Sequence, residues 1–391
     1  MPNKEAVDIA VIGAGPAGLI AAREAARKGA EVIVLEEHEE IGVPSHCAGL
    51  LNVEGLKRIG ITPEKSFIQS EIRGAHFHSP SGSEFTVESR QVKAFVVDRI
   101  ILDKVLGSHT TNAGADIRLG SKVSGLIFRN KHVSGVKVNG TSLNSKIVID
   151  GEGGVSKFVR EVGLKSPKKI LPAMQFEVEW QNTTPEFVDI FVGRKIAPDF
   201  FAWIVPTGSG SARVGLACHY SNPRRLLEIF IKRELKKCKV KAIKGGAIPI
   251  SGPIPRTYAE RFLVVGDAAG QTKPTTGGGV ITGGICAGIA GEVAANAVAR
   301  SDFSAGCLKA YQDGWKKELG KEFLTMLFAR RTLNLLSDRT MDKIFRAIIE
   351  NELQRLIEEK GDIDFQSEVL RALVCNPAVI KVLFAVIGDL L

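Results

Sequence analysis

Three groups of residues have the types and spacing that chemistry requires. Cys47 stands in "GVPSHCAGLLN", residues 42–52, with Pro44 stiffening the approach and the small Ala48-Gly49 pair behind it. A thiol placed there can tune a redox group, donate a proton or steer a substrate, or it can serve as a small buried hydrophobe. Gly13, Gly15 and Gly18 form G-x-G-x-x-G, with Ala17 inside the turn. The first glycine permits a tight turn, the second lets backbone approach a pyrophosphate, and the third lets a helix pack on a strand. Acids close three apolar runs: Glu36 after "EVIVL", Asp150 after "IVI" and Asp267 after "FLVVG". A carboxylate at such a strand end accepts hydrogen bonds from sugar hydroxyls.

These residues need elements to hold them. "VDIAVIGAGPAGLIAAREAARKGAEVIVLEE" reads as a strand from Val7 to Ile12, a glycine turn, a helix and a second strand ending at Glu36. Glu36 lies about 20 residues past the glycines, the spacing of a ribose-binding acid. The helix N-terminus offers free N–H groups to phosphates. This unit alone does not separate FAD from NAD. In "ERFLVVGDAAGQTKPTTGGGVITGGICAGIAGEVAANAVAR", residues 260–300, a strand ends at Gly266-Asp267, a loop carries Pro274, and Gly277, Gly278 and Gly279 open a helix from Val280. That N-terminus can place N–H groups and a positive dipole beside an anionic reduced isoalloxazine. The helix is long and apolar, but its many glycines and alanines suit close packing on a sheet rather than a bilayer. "IVIDGEGGVSKFVREVGL", residues 147–164, is a strand ending at Asp150-Gly151, a turn and a short helix with Ser156 and Arg160. A helix from Asp98 and a further strand precede it.

Composition sets the bounds. A chain of 391 residues implies two or three domains, and 44% hydrophobic with 24% charged residues is ordinary for a globular protein. Six scattered cysteines without Cys-x-x-Cys form neither a disulfide framework nor a zinc cluster, so a reducing cytoplasm is expected and no metal. "MPNKEAVDIAVIGAG" offers no secretory signal pattern. Part of the net charge of +9 lies in residues 222–244, "NPRRLLEIFIKRELKKCKVKAIK". That basic helix face is either solvated or a surface for anionic lipid or an acidic redox partner. With Phe230 as its one aromatic residue, it argues against nucleic acid.

The three glycine-bearing pieces resemble the fingerprints of the p-hydroxybenzoate-hydroxylase-like FAD flavoproteins. Within that group the chain is similar to the geranylgeranyl reductase family over roughly residues 5 to 300. "EEIGVPSHCAGLL", "VVDRIILDKVL", "FFAWIVPTGSGSARVGL" and "VGDAAGQTKPTTGGGV" carry the closer match. The family motif Tyr-x-Trp-x-Phe-Pro stands here as Phe201, Trp203, Val205 and Pro206, and a later glycine pair is reduced to Gly215 before Leu216-Ala217. The resemblance implies an α/β fold: a Rossmann-like three-layer FAD domain, an inserted antiparallel-sheet substrate domain and a C-terminal helical region. Residues 1–65, 98–165 and 256–300 would form the first, 66–97 and 166–255 the second, and 301–391 the third. It implies FAD contacts at Gly13, Gly15, Ala17, Gly18, Glu36, Cys47, Ala48, Arg99, Asp150, Gly151, Gly266, Asp267, Gly277, Gly278, Gly279 and Val280. Cys47 and Trp203 are the expected catalytic residues. Phe201, Trp203, Pro206 and Pro274 are expected to meet substrate.

The activity so implied is saturation of C=C bonds in geranylgeranyl chains, on archaeal-type ether lipids, by hydride from reduced FAD plus a proton. No second strand–G-x-G-x-x-G–helix unit is present for a nicotinamide. The electron donor is therefore open between transient NAD(P)H and a ferredoxin. An aromatic monooxygenase or halogenase of the same superfamily, or a flavoprotein electron carrier, are the competing readings. Period-two stretches over residues 66–97 and 166–255 predict an antiparallel sheet over the flavin. Phe176, Trp180, Phe200, Phe201 and Trp203 are candidate tunnel residues, and His76 and His78 share one strand face as structural residues. Residues 301–391 read as helices, with the final "AVIKVLFAVIGDLL" expected to pack on the body rather than lie in a membrane surface.

Overall fold

A computed structural model describes residues 6–181, 184–208 and 210–381. The expected packing of the last apolar stretch on the body falls, for 382–391, outside the described residues. The chain opens with β1 (Ala6–Ile12), α1 (Pro16–Arg27) and β2 (Val32–Leu35). A crossing segment leads to β3 (Leu50–Asn52), α2 (Val53–Arg58), β4 (Ile68–Ile72), β5 (Gly74–His78), β6 (Glu84–Glu88) and β7 (Ala94–Val97). Asp98 then caps α3 (Arg99–Asn112) by accepting from the Ile100 and Ile101 amides, which is why the helix starts there. β8 (Asp116–Arg118), β9 (Val123–Arg129), β10 (His132–Val138), β11 (Thr141–Asp150) and the short α4 (Lys157–Glu161) follow.

β12 (Ile170–Glu179), β13 (Phe187–Val192), β14 (Phe201–Pro206) and β15 (Ser211–Ala217) are followed by α5 (Pro223–Glu234) and β16 (Lys239–Pro249). β17 (Tyr258–Ala259) and β18 (Phe262–Val264) return to the first layer. The chain ends in α6 (Val280–Ala299), α7 (Ala305–Leu335), α8 (Asp338–Glu350), α9 (Gln354–Lys360) and α10 (Ser367–Val374).

Three sheets result. The first has the order β17-β18-β11-β1-β2-β8, with β9 and β10 folded alongside β11. β18, β11, β1, β2 and β8 run parallel, and the crossovers place α1, α3 and α6 on one face. The second has the order β16-β12-β15-β14-β13-β5-β6 and is antiparallel but for β13–β5. The third is β3-β7-β4. The stretch 66–97 is thus divided between two sheets: β5 and β6 extend the large sheet, whereas β4 and β7 pair with β3.

By length and apolarity α6 is the described helix that matches a bilayer span, yet 61% of that stretch is buried inside the protein. Its glycines explain why. A Cβ on Gly291 would collide with the Ala21 carbonyl of α1, and one on Gly284 would reach within 2.9 Å of Ile20 and Ile59. Small residues here let two backbones approach.

The second sheet has two apolar faces. Alternation sends Phe176, Val178, Ile204 and Val214 toward α5, whose Leu227, Phe230 and Ile231 cover them. Leu171, Phe200, Trp203 and Val205 face the other way. On that side α8 covers the β5–β6 end through Phe345 and Ile348 against Phe85.

Candidate functional site

The three glycine turns converge because their strands are neighbours. Ile12 of β1 pairs with Asp150 of β11, and Asp150 pairs with Val264 of β18. All three chains therefore leave the sheet at one edge. The Gly151 amide donates to the Ile12 carbonyl at 2.9 Å. Gly13 has φ +89°, and a Cβ on it would lie 2.7 Å from the Gly151 carbonyl oxygen. A Cβ on Gly266 would lie 2.8 Å from that of Ala17, and Gly18 has no room for one against Gly13.

Gly15 differs: no atom stands within 4 Å of its Cβ position. It precedes α1, whose first turn has no side-chain cap, so the amides there face an open cradle. Glu36, at the end of β2, accepts from the Ala14 amide at 2.7 Å and the His38 amide at 3.0 Å.

The other end of the cleft is built by the third turn. Asp267 makes no side-chain hydrogen bond among the described residues. Burial pushes its carboxyl up to about 6, with the charge of Arg99 pulling the other way. It stands against Gly279, where a Cβ would come within 2.7 Å of Asp267 Oδ1, at the uncapped N-terminus of α6. An open glycine cradle, a strand-end acid, an unpartnered carboxyl and two uncapped helix ends fit an adenine dinucleotide carrying a flavin. Asp150 is 0% exposed; its Oδ1 accepts from the Glu152 amide at 3.1 Å, and its Oδ2 has no hydrogen-bond partner among the described residues. Burial, then the nearby Glu152, hold that carboxyl well above its ordinary range. Gly153 and Gly154 of the same turn are open.

Cys47 is half-buried, and its sulfur accepts from the Gly49 amide at 3.3 Å. It lies between two guanidinium groups. Arg99, in the first turn of α3, is held bidentately by Asp103 at 3.1 and 2.9 Å. Burial opposes its charge, but Asp103 and Cys47 together raise its pKa. Arg213 of β15 donates to the Ala48 and Val97 carbonyls and to Gln69 Oε1. Burial lowers its pKa, and Cys47 is the first group working against that. Gln175 links this centre to the sheet: its amide nitrogen donates to the Cys47 carbonyl at 3.4 Å, and its Oε1 accepts from Trp203 Nε1 at 3.2 Å.

Trp203 lies flat over Gly215, where a Cβ would come within 2.5 Å of the ring. Phe201 stacks on Phe200 at 4.3 Å and meets Trp203 edge-on at 5.9 Å. With Ala173, Ile190, Ile248 and Ile363, all half-buried, it packs on an apolar cluster centred on Phe200, Trp203 and Val205.

Other expected residues fall elsewhere. Phe176 and Trp180 belong to the α5 face of the sheet, because alternation puts them opposite Trp203. Pro206 pairs with Ala212, whose side chain also lies on the α5 side, so it is not brought to Phe201 and Trp203. His76 bonds Thr86 and stacks on Phe187, and His78 bonds Asp189 and stacks on Phe191. Pro274 presents its carbonyl to Arg330 Nε at 2.9 Å.

Sequence reading missed Gln175, Arg213, Lys273, Arg330 and Asp364. Gln175 and Arg213 had one signal: each is polar at an inward position of an alternating strand. Lys273, in the loop between Asp267 and Gly277, pairs with Asp364 at 2.5 Å with both side chains buried. Arg330 of α7 lies 4.7 Å over the Phe200 ring, and burial lowers it to about 10 while Asp199 pulls upward. Those partners are far apart in the chain and leave no local pattern. A polar groove of about 510 Å³ lined by Asp8, Glu31, Arg129 and Lys146 sits at the opposite end of β1 and β11, away from the glycine turns.

Known proteins are similar to this chain in sequence and fold. A family profile described as "Lycopene cyclase protein" matches residues 8–360. Digeranylgeranylglycerophospholipid reductase 2 of Methanothermobacter thermautotrophicus is 34% identical over 389 residues, covering 96% of this chain and 98% of that protein. The digeranylgeranylglycerophospholipid reductase of Methanocaldococcus jannaschii is 34% identical over 390 residues, covering 96% of each. Among solved structures, a geranylgeranyl bacteriochlorophyll reductase-like protein of Thermoplasma acidophilum superposes with a TM-score of 0.88 at 28% identity, over 99% of this chain and 100% of that one. A flavin-dependent brominase shares the fold alone, with a TM-score of 0.72 at 18% identity over 98% of this chain and 99% of its own.

Proposed function

This chain belongs to the digeranylgeranylglycerophospholipid reductase family, and from that premise we propose that it saturates C=C bonds in the geranylgeranyl chains of an archaeal-type ether phospholipid, with FAD as its cofactor. The observation that supports the reading is the convergence of three glycine turns at one sheet edge, with open space over Gly15, and the link from Cys47 through Gln175 to Trp203; the apolar cluster around Phe201 and Trp203 would wall the substrate chamber.

When bound, FAD supplies the two-electron chemistry as hydride. The chain's residues do the rest. The Gly15 cradle and the α1 N-terminus hold the pyrophosphate, while Glu36 and Asp267 accept from sugar and ribityl hydroxyls. The α6 N-terminus, with Gly277–Gly279, offers N–H groups and a positive dipole to a charged ring edge. Phe201, Trp203, Ile190 and Ile363 exclude water, which would capture a cationic carbon. Cys47, steadied between Arg99 and Arg213, or a water beside it, delivers the proton to the second alkene carbon.

In this reading residues 1–65, 98–165 and 256–300 form the cofactor domain, 66–97 and 166–255 the substrate sheet, and 301–391 the helical cover. Electrons arrive from transiently bound NAD(P)H or from a ferredoxin, and stopped-flow reduction by each separates them. The protein works in the cytoplasm, in peripheral contact with the membrane that holds its substrate.

The test is anaerobic photoreduction of the flavin-loaded protein, followed by unsaturated digeranylgeranylglycerophospholipid. Reoxidation with a mass gain of two hydrogens per double bond is expected. Oxygen-dependent turnover with a hydroxylated product, or reoxidation without lipid product, defeats the reading. Cys47→Ser should retain flavin but slow turnover; unchanged kinetics return Cys47 to a packing role.

A further inference from the structure

Helix α7 carries Lys317, Lys321, Leu324, Phe328, Arg331 and Leu335, all exposed, at spacings of four, three, four, three and four. At 3.6 residues per turn these positions fall on one strip of the helix, within about 80° of arc. Leu324, Phe328 and Leu335 are 70%, 63% and 79% exposed. Single apolar side chains on a surface are ordinary, but three in line along three turns form a ridge. The opposite face is the buried one, with Trp315, Leu319, Phe323, Met326 and Arg330.

The strip also has a polarity along its length. Its N-terminal part is cationic, its C-terminal part is apolar, and Arg331 interrupts the apolar part. The flanking acids are engaged elsewhere: Glu318 pairs with Arg58, and Glu322 accepts from the Ser367 amide at 2.9 Å. Cations beside a ridge of large apolar side chains match the headgroup and acyl layers of an anionic bilayer surface.

Position gives the strip its use. On the inner side of the same helix, Arg330 donates to the Pro274, Thr275 and Asp199 carbonyls and lies over Phe200. Leu327 packs beside Gly252. The strip therefore stands one helix width, about 10 Å, from the rim of the chamber. We propose that this face of α7 docks the protein on an anionic phospholipid bilayer and sets the chamber rim against the lipid it draws from. The inference rests on a membrane phospholipid being the substrate.

The experiment uses the full flavin-loaded chain and vesicles of phosphatidylglycerol and phosphatidylcholine in equal parts, with flotation as the readout. Leu324→Glu/Phe328→Glu, both exposed positions, should keep the wild-type melting temperature and lose vesicle partition by roughly tenfold or more. Phe328→Trp should retain binding, and its added emission should shift to the blue on vesicle addition. Turnover of detergent-dispersed lipid should be unchanged in the double variant, while turnover of vesicle-embedded lipid falls. Vesicle binding that survives the double substitution overturns the proposal. So does equal binding to pure phosphatidylcholine, a wild-type dimer that the double substitution dissociates, or binding that appears only after residues 382–391 are removed. If wild type binds through the strip but no lipid is reduced, the docking face stands and the activity assignment falls.

Discussion

At Gly15 the backbone is extended, with φ −73° and ψ 171°, and the space above it is open. A Cβ there has no protein atom within 4 Å, so a modest side chain would protrude into the space the cradle offers. Gly15→Val should therefore leave unfolding stability within about 0.5 kcal/mol of wild type and abolish flavin absorbance; retained yellow colour would contradict the assignment. Asp267 gives a pH signature. Its folded-state carboxyl is raised to about 6 from an ordinary 3.8. The flavin-free folded protein thus binds more protons than the unfolded chain between those values, so stability falls as pH rises through that window. Asp267→Asn removes the penalty. The flavin-free variant should match wild type near pH 4 and exceed it at pH 7 by up to about 3 kcal/mol. Urea unfolding at both pH values checks this, and a variant less stable at pH 7 would refute it.

Between elements, the segment linking α9 to α10 acts as a strap. Asp362 accepts from Asn52 in β3, Asp364 pairs with Lys273, Gln366 accepts from Thr275, and Ser367 bonds Glu322 of α7. It joins β3, the loop carrying Lys273 and Thr275, and helix α7. Lys273 lies against Gly278, where a Cβ would come 2.7 Å from its side chain, so the pair sets the shape of the glycine run. A buried ion pair adds little net stability, but breaking one side strands a buried charge. Lys273→Met should cost about 3–5 kcal/mol. Lys273→Met/Asp364→Leu should recover most of that loss, and urea unfolding of the two variants decides it.

Over the whole molecule, charge is unevenly placed relative to the cleft. The basic helix α5 covers the face of the large sheet that points away from Trp203. A donor on its outer side would be separated from the flavin by a helix and a sheet, about 20 Å in all. That exceeds the screening length of about 8 Å at physiological salt. Arg225→Glu/Lys232→Glu should change ferredoxin-driven flavin reduction by less than about twofold at 0.15 M salt. A larger drop in stopped-flow rate would place the donor on α5.

The amino-acid order alone determined the three strand–turn units, the glycine pattern, the helix starting at Asp98 and the apolar helix after Gly279. Each is a local matter, decided by turn sterics and by periods of two or 3.6 within a dozen residues. From the sequence, Phe176, Trp180, Phe200, Phe201 and Trp203 are all tunnel candidates; the sheet divides them, Phe176 and Trp180 going to the α5 face and Phe201 and Trp203 to the other. Only the tertiary structure decided which face α5 covers and which lies beside Cys47, because both are apolar and periodicity does not choose between them. It alone brought Arg213 and Gln175 to Cys47 across more than 120 residues and set Asp364 on Lys273. Such contacts arise from packing between distant elements, where a buried charge must find its partner, and that requirement leaves no periodic trace in the chain.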